Sequence, residues 1–227
     1  MTSSLQTFEF HPDGNAVASI VVLHGLGADG TDFLPFADQV DLSAIGPVRW
    51  VLPRAPVRAV TVNNGYRMRA WYDIYEFGAQ ARTDTREDEA GLRDSFTAVH
   101  SLIEREIARG VPASRIVLAG FSQGCAITLG AGLRFGQRLA GLVGMSGYLP
   151  LASTTATERS EANRGTPLFL AHGRRDPVVG LDRGAASRDA LAALGCDIEW
   201  HDYPMEHSVC AEEVDDLQRF LLRVLAA

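Results

Sequence analysis

Arg115-Ile-Val-Leu-Ala-Gly-Phe-Ser-Gln-Gly-Cys-Ala-Ile-Thr-Leu-Gly-Ala-Gly-Leu-Arg134 decides the fold. The apolar run at 116–119 predicts a buried strand, and the Ala/Leu/Ile/Gly stretch after Gly124 suits a helix packed closely on a sheet. Between them stands Gly120-Phe-Ser-Gln-Gly124. Gly-x-Ser-x-Gly at a strand-to-helix junction is the nucleophile-elbow pattern, a turn so sharp that Ser122 sits in strained backbone and points outward. A Cβ at Gly120 or Gly124 would press on the crossing strand or helix. The plainer alternative is a glycine-rich turn whose serine only caps the helix. The elbow reading therefore requires a base, an acid and an oxyanion hole elsewhere in the chain.

Outward from this unit, strands and helices alternate. Residues 5–10 read as an edge strand closed by the turn His11-Pro-Asp-Gly14. Residues 17–23 form a continuous apolar strand leading into His24-Gly-Leu-Gly-Ala-Asp-Gly30, followed by a short helix at 31–39 and a strand at 48–52. A long irregular stretch covers 53–80, and long loops in compact proteins tend to be functional. Within 86–109, Leu92, Phe96, Val99, Ile103 and Ile107 share one helical face, and Gly110 ends the helix.

Further strands are expected at 139–145, 167–171 and 196–203, and helices at 181–194 and 214–225. The Ser/Thr/Ala/Glu-rich segment 151–165 reads as a mobile surface loop. Such alternation predicts a mostly parallel sheet of about seven strands with helices on both faces, in one domain over residues 1–227.

Composition narrows the class. A chain of 227 residues, 46% hydrophobic and 22% charged, is an ordinary globule. The net charge of −7 offers no basic footprint for nucleic acid and no polybasic membrane patch. No apolar run approaches a membrane span, and the first ten residues lack the pattern of a secretory signal. Cys125, Cys196 and Cys210 are odd in number and have no metal-ligand spacing, so each is expected as a small buried hydrophobe in a reducing compartment. Together these place the protein in the cytoplasm, with no metal and no cofactor.

In open α/β sheets the working residues gather beyond the carboxyl ends of the strands. Ser122, Asp176 and His207 stand there in the chain order of α/β-hydrolase triads. A serine hydroxyl needs an imidazole to take its proton, and the imidazole needs a carboxylate to fix its tautomer. His207 lies in a loop just past a strand, which suits a base. His201 shares a strand face with Asp197 and Glu199, His172 suits a structural hydrogen bond, His24 could brace the glycine turn, and His11 and His100 look peripheral. Asp176 is preferred as the acid over Asp182, which better serves a helix start, and over Asp202, which is inside a strand.

The oxyanion hole is assigned to the backbone N–H groups of Gln123 and Leu26. Met68, Trp71 and Phe121 are candidates for an acyl-binding wall, with plain core packing an equal alternative. Arg174 and Arg175, inside the acid motif, receive no role.

With these residues assembled, the chain resembles the phospholipase/carboxylesterase family of α/β-hydrolases, which includes acyl-protein thioesterases. The likeness rests on the 24–30 glycine loop, Gly65-Tyr-Arg-Met-Arg-Ala-Trp-Tyr-Asp-Ile74, the elbow, Met145-Ser-Gly-Tyr-Leu-Pro150, His172-Gly-Arg-Arg-Asp-Pro177 and Tyr203-Pro-Met-Glu-His207. The resemblance implies a compact hydrolase without a large lid, the Ser122–Asp176–His207 triad, an acyl groove near Trp71 and, in many members, a homodimer. The expected activity is a serine carboxylesterase acting on short- to medium-chain acyl esters. The alternatives are an acyl-protein thioesterase or lysophospholipase with the same triad and, more remotely, a non-catalytic binding module.

Overall fold

The computed structural model describes residues 5–10, 15–76 and 87–226. The turn at 11–14 with His11, the end of the 53–80 stretch and the first residue of the expected 86–109 helix lie outside them. In chain order the elements are β1 (Thr7–Phe10), β2 (Ala18–Leu23), α1 (Leu34–Gln39), β3 (Val48–Pro53), β4 (Val57–Val60), β5 (Tyr66–Arg69) and α2 (Glu89–Ala108). They continue with β6 (Ile116–Phe121), α3 (Gln123–Arg134), β7 (Gly141–Met145), α4 (Ala152–Glu158), β8 (Leu168–Gly173), α5 (Leu181–Ala193), β9 (Ile198–Tyr203) and α6 (Ala211–Ala226).

Among the described residues, seven strands make one sheet in the order β1-β3-β2-β6-β7-β8-β9. Every pairing is parallel except β1 against β3. This is the α/β-hydrolase fold. All six residues of β2 are buried because both sheet faces are covered. Val21 and Leu23 pack toward α2 and α3, while Ala18, Ile20 and Val22 pack toward α1 and α6, the alternation a pleated strand imposes. The chain first builds outward from β2 to β3 and then, from β6 on, in the opposite direction. That reversal leaves a crevice beyond the carboxyl ends of β2 and β6, where the glycine loop and the elbow emerge.

Two expectations need correction. The 53–80 stretch is not irregular where described: β4 and β5 form an antiparallel hairpin with Val57 opposite Arg69. Asn64 and Gly65, with φ of 54° and 76°, supply the left-handed residues of its turn. Segment 151–165 is not a mobile loop either. It contains α4 and a 3₁₀ turn at Glu161–Asn163, and its polar side chains tie it down. Buried Asn163 donates to the carbonyls of Phe135 (2.7 Å) and Gln137 (2.8 Å) and accepts from the Leu139 amide (2.9 Å). Arg134 holds Glu158 at 2.8 Å. Of the three free cysteines only Cys125 is fully buried; Cys196 and Cys210 are half-buried.

Candidate active site

The elbow is as sharp as its glycines predict. Ser122 has φ 55° and ψ −117°, a conformation that costs a non-glycine residue about 1–3 kcal/mol. Surrounding packing enforces it. A Cβ on Gly124 would lie 2.1 Å from the Leu23 carbonyl oxygen, and one on Gly120 would lie 2.3 Å from that of Gly124. The Ser122 amide is anchored to the Met145 carbonyl (2.8 Å), so the hydroxyl stands clear of the sheet end.

Loops after β8 and β9 bring two further groups to that hydroxyl. His207 Nε2 lies 2.8 Å from Ser122 Oγ, and Nδ1 lies 2.6 Å from Asp176 Oδ2. The other carboxylate oxygen of Asp176 accepts the amides of Val178 (2.8 Å) and Val179 (2.9 Å), which fixes its plane. Because Oδ2 receives the Nδ1 proton, Nε2 is left to accept from serine. Phe121 packs on the imidazole with ring centroids 4.8 Å apart. The two loops are laced together: the Arg174 and Arg175 amides donate to the Tyr203 and Met205 carbonyls, and their exposed guanidinium groups bind Asp202 and the Pro204 carbonyl. Gly173 allows this closeness, since a Cβ there would meet the Glu206 carbonyl oxygen at 2.2 Å.

The rival groups are committed elsewhere. His201 contacts Glu199 (2.9 Å) and Asp216 (3.3 Å), Asp202 pairs with Arg174, and Asp182 sits in the first turn of α5. His100 meets the Ala131 carbonyl (2.9 Å). His172 Nε2 bonds to the Val179 carbonyl (2.8 Å), and His24 Nε2 accepts the Ala55 amide (3.0 Å) while Nδ1 bonds to the Gly25 carbonyl (2.7 Å). Burial holds both imidazoles below the ordinary histidine pKa, so they serve as neutral braces. Burial likewise pushes the Cys125 thiol up to about 12, which makes it inert.

Among the described residues, the backbone amides of Leu26 and Gln123 have no partner, whereas those of Gly27 and Ala28 are engaged. Gln123 opens α3, where helix geometry leaves the first N–H groups free and the helix dipole favours negative charge. Both residues line a cleft of about 620 Å³ that also includes Ser122 and His207. Its apolar lining includes Phe33, Phe36, Phe121, Val179, Val209 and Val214. Tyr72 and Tyr148 add a hydroxyl pair at 2.6 Å, and the Arg183 guanidinium sits over the Tyr148 ring.

Of the three residues proposed for the acyl wall, only Phe121 lines the cleft. Trp71 is fully buried and holds backbone beneath the site. Met68 lies on the hairpin, its sulfur accepting from Asn63 Nδ2 (3.3 Å). Sequence reasoning missed Phe33 and Phe36, although an aromatic pair directly after the glycine loop was the available signal. Among the described residues, no cluster of His, Cys, Asp or Glu could hold a metal ion, and no helix is long and apolar enough to cross a membrane.

The family model described as Phospholipase/Carboxylesterase matches residues 9–225. Acyl-protein thioesterase 1 of Yarrowia lipolytica is 38% identical over 208 residues, 90% of each chain. That of Neurospora crassa is 40% identical over 209 residues, covering 90% of this chain and 85% of its own. The crystal structure of Arabidopsis thaliana SOBER1 superposes with a TM-score of 0.86 at 31% identity, over 92% of this chain and 99% of that one. The chain belongs to the phospholipase/carboxylesterase family of α/β-hydrolases and is a serine hydrolase.

Proposed function

We propose that the protein removes acyl groups from thioesters, with an S-acylated protein as the substrate class, and cleaves the matching oxyesters by the same route. Ser122 Oγ attacks the acyl carbonyl as His207 Nε2 takes its proton, and Asp176 stabilises the imidazolium. The amides of Leu26 and Gln123 receive the oxyanion. Collapse expels the thiol, protonated by His207, and leaves an acyl-serine. Water then attacks with His207 again as base, releasing a carboxylic acid and restoring the serine.

One observation carries this reading: the Ser122–His207–Asp176 chain of contacts, at 2.8 and 2.6 Å, opens on an apolar cleft. The relatives named acyl-protein thioesterase 1 favour a thioester over the simple ester expected first. The family description also fits a carboxylesterase of short- to medium-chain esters, and a lysophospholipid would use the same groups. A series of matched oxyesters and thioesters of increasing chain length, with an S-acylated peptide and a lysolipid, separates these by kcat/KM. No hydrolysis above the Ser122→Ala background would reject them all. Absence of fluorophosphonate labelling at Ser122 would leave only a binding module. The family match over residues 9–225 further supports one catalytic domain, the odd and unspaced cysteines a cytoplasmic location, and the family resemblance a homodimer, the last tested by light scattering.

A further inference from the structure

Resting on that catalytic reading, a separate question is what fixes the distance between the two oxyanion amides. They lie on segments that share no direct bond. The pairing of β2 with β6 ends at Leu23 opposite Gly120, and beyond it both chains leave the sheet. Leu26 is on a glycine-containing loop and Gln123 on the first turn of a helix; the two segments pack directly through Gly124 against the Leu23 and His24 carbonyls, and a hydrogen-bonded brace can be added to that packing.

The segment 69–72 supplies one. On the loop side, the Arg69 carbonyl accepts the Gly27 amide (2.9 Å), and the Trp71 indole N–H donates to the His24 carbonyl (2.9 Å). These two bonds flank Leu26. His24 stiffens the loop further, its ring lying against the Trp71 indole with centroids 5.3 Å apart. On the helix side, the Gln123 side chain accepts the Trp71 amide at Oε1 (2.8 Å) and donates from Nε2 to the Tyr72 carbonyl (2.8 Å). Gln123 is 3% exposed and Trp71 0%, so water does not compete for the bonds these two residues make, whereas the Gly27–Arg69 bond lies at the surface. The last polar group of the tryptophan, its carbonyl, accepts from Ser95 Oγ.

We propose that Trp71 is a positioning residue that sets the separation of the Leu26 and Gln123 amides, with the Gln123 side chain as its second grip. The indole holds one half of the hole and the backbone of the same residue holds the other. Trp71 therefore touches no substrate and acts on the transition state through the hole it spans. Its contribution appears in kcat and leaves acyl binding alone.

The test uses Trp71→Phe, which removes the indole N–H and keeps an aromatic ring, and Gln123→Met, which removes both side-chain bonds and keeps the backbone amide. Each is measured with an ester and its matched thioester, with active sites titrated by a fluorophosphonate and the melting temperature recorded. The expected result is a fall in kcat of roughly 10- to 100-fold, the range for a misplaced or lost oxyanion donor, with KM within about threefold. Affinity for an alkylboronic acid, which forms a tetrahedral adduct on Ser122, falls in parallel. The pH profile keeps its midpoints because His207 and Asp176 are untouched. The double variant loses less than the product of the single losses, since both break one brace.

The inference is overturned if titrated Trp71→Phe keeps kcat and boronate affinity within about twofold of wild type, whatever its melting temperature. It is equally overturned if KM rises alone, which would return Trp71 to the acyl wall. Where Trp71→Phe does not fold, Gln123→Met decides by the same criteria. An inactive wild type would instead remove the catalytic reading itself.

Discussion

Replacing Asp176 by asparagine changes one atom and should switch off the base. Asp176 Oδ1 accepts two backbone amides, from Val178 (2.8 Å) and Val179 (2.9 Å), while Oδ2 accepts from His207 Nδ1 (2.6 Å). An asparagine has two ways to sit there. With its oxygen toward Val178 and Val179, both amide bonds survive and the NH₂ faces His207 Nδ1. That donor requires an unprotonated Nδ1, so the ring proton moves to Nε2, which then donates to Ser122 instead of accepting from it.

With the amide reversed, the NH₂ faces two N–H donors. The buried Val179 amide then loses its acceptor, at about 1–3 kcal/mol, and the half-buried Val178 amide loses one too at a smaller cost. Exchange of the histidine tautomer loses no hydrogen bond. The first arrangement wins by at least about 1–3 kcal/mol, and the serine is left without a base. The expected loss in kcat is about 10⁴-fold, or about 5 kcal/mol of barrier, with KM and melting temperature nearly unchanged. A chromogenic thioester assay on the purified variant reads the loss directly, and fluorophosphonate labelling should slow in proportion. Retention of more than about a tenth of wild-type kcat would refute the tautomer argument.

Gly124→Ala forces a methyl group to within 2.1 Å of the Leu23 carbonyl oxygen, and the atoms it meets are all backbone, with no flexible side chain to yield. A destabilisation of about 3 kcal/mol, roughly 6–12 °C in melting temperature, is expected, and an unshifted calorimetric transition would contradict it. Glu106→Ala removes the fully buried carboxylate that holds Arg49 (2.7 Å) and Ser19 (2.8 Å), leaving a buried cation unpaired. Urea unfolding should report a loss of about 3–5 kcal/mol. Stability should also depend on pH through buried titratable groups. Below about pH 6.5 the unfolded chain protonates His24 and His172, whose folded pKa values are lowered by burial, so their contribution weakens as pH falls.

Glu213 acts oppositely. Burial pushes its carboxyl from 4.5 up to about 8, so its contribution is full below pH 4.5 and is lost as pH rises toward 8. Between about 4.5 and 6.5 the histidines and Glu213 therefore pull in opposite directions. Above about 6.5 Glu213 gives a fall of at most about 1.4 kcal/mol per pH unit. Glu213→Gln should flatten most of that alkaline slope in melts from pH 6.5 to 8, and an unchanged slope would reject the assignment.

What was legible in the sequence divides along physical lines. Strands at the sheet centre are apolar on both faces, so β2, β6, β7 and β8 stand out without any tertiary information. Residues 122, 176 and 207 stand out because a parallel sheet delivers each strand's following loop to the same edge. The α4 segment was misread because a seven-residue helix has little stability of its own. Its Ser, Thr and Asn residues look like a solvated loop until the partners are known. Asn163 is satisfied by the carbonyls of residues 135 and 137 and the amide of 139, which no local pattern announces.

Trp71 shows the same limit more sharply. A tryptophan near a catalytic loop can line the substrate cleft or support the backbone beneath it, and composition does not separate the two. The difference is which end of the side chain meets a polar partner. An indole lining an acyl groove offers its face to the chain, and its N–H then needs water or a ligand. Here the N–H is bound inside the protein, by the His24 carbonyl, and the ring is 0% exposed, so no surface is left for an acyl chain. Phe33 and Phe36, with no polar atom to satisfy, take the cleft instead. Trp71 holds backbone through its N–H, while Phe33 and Phe36 face the cleft. On that basis Phe36→Ala should weaken binding of long acyl chains, raising KM for them more than for short ones. Trp71→Phe should lower kcat for both alike, and a chain-length series run on the two variants side by side would expose the reverse pattern if the assignment is wrong.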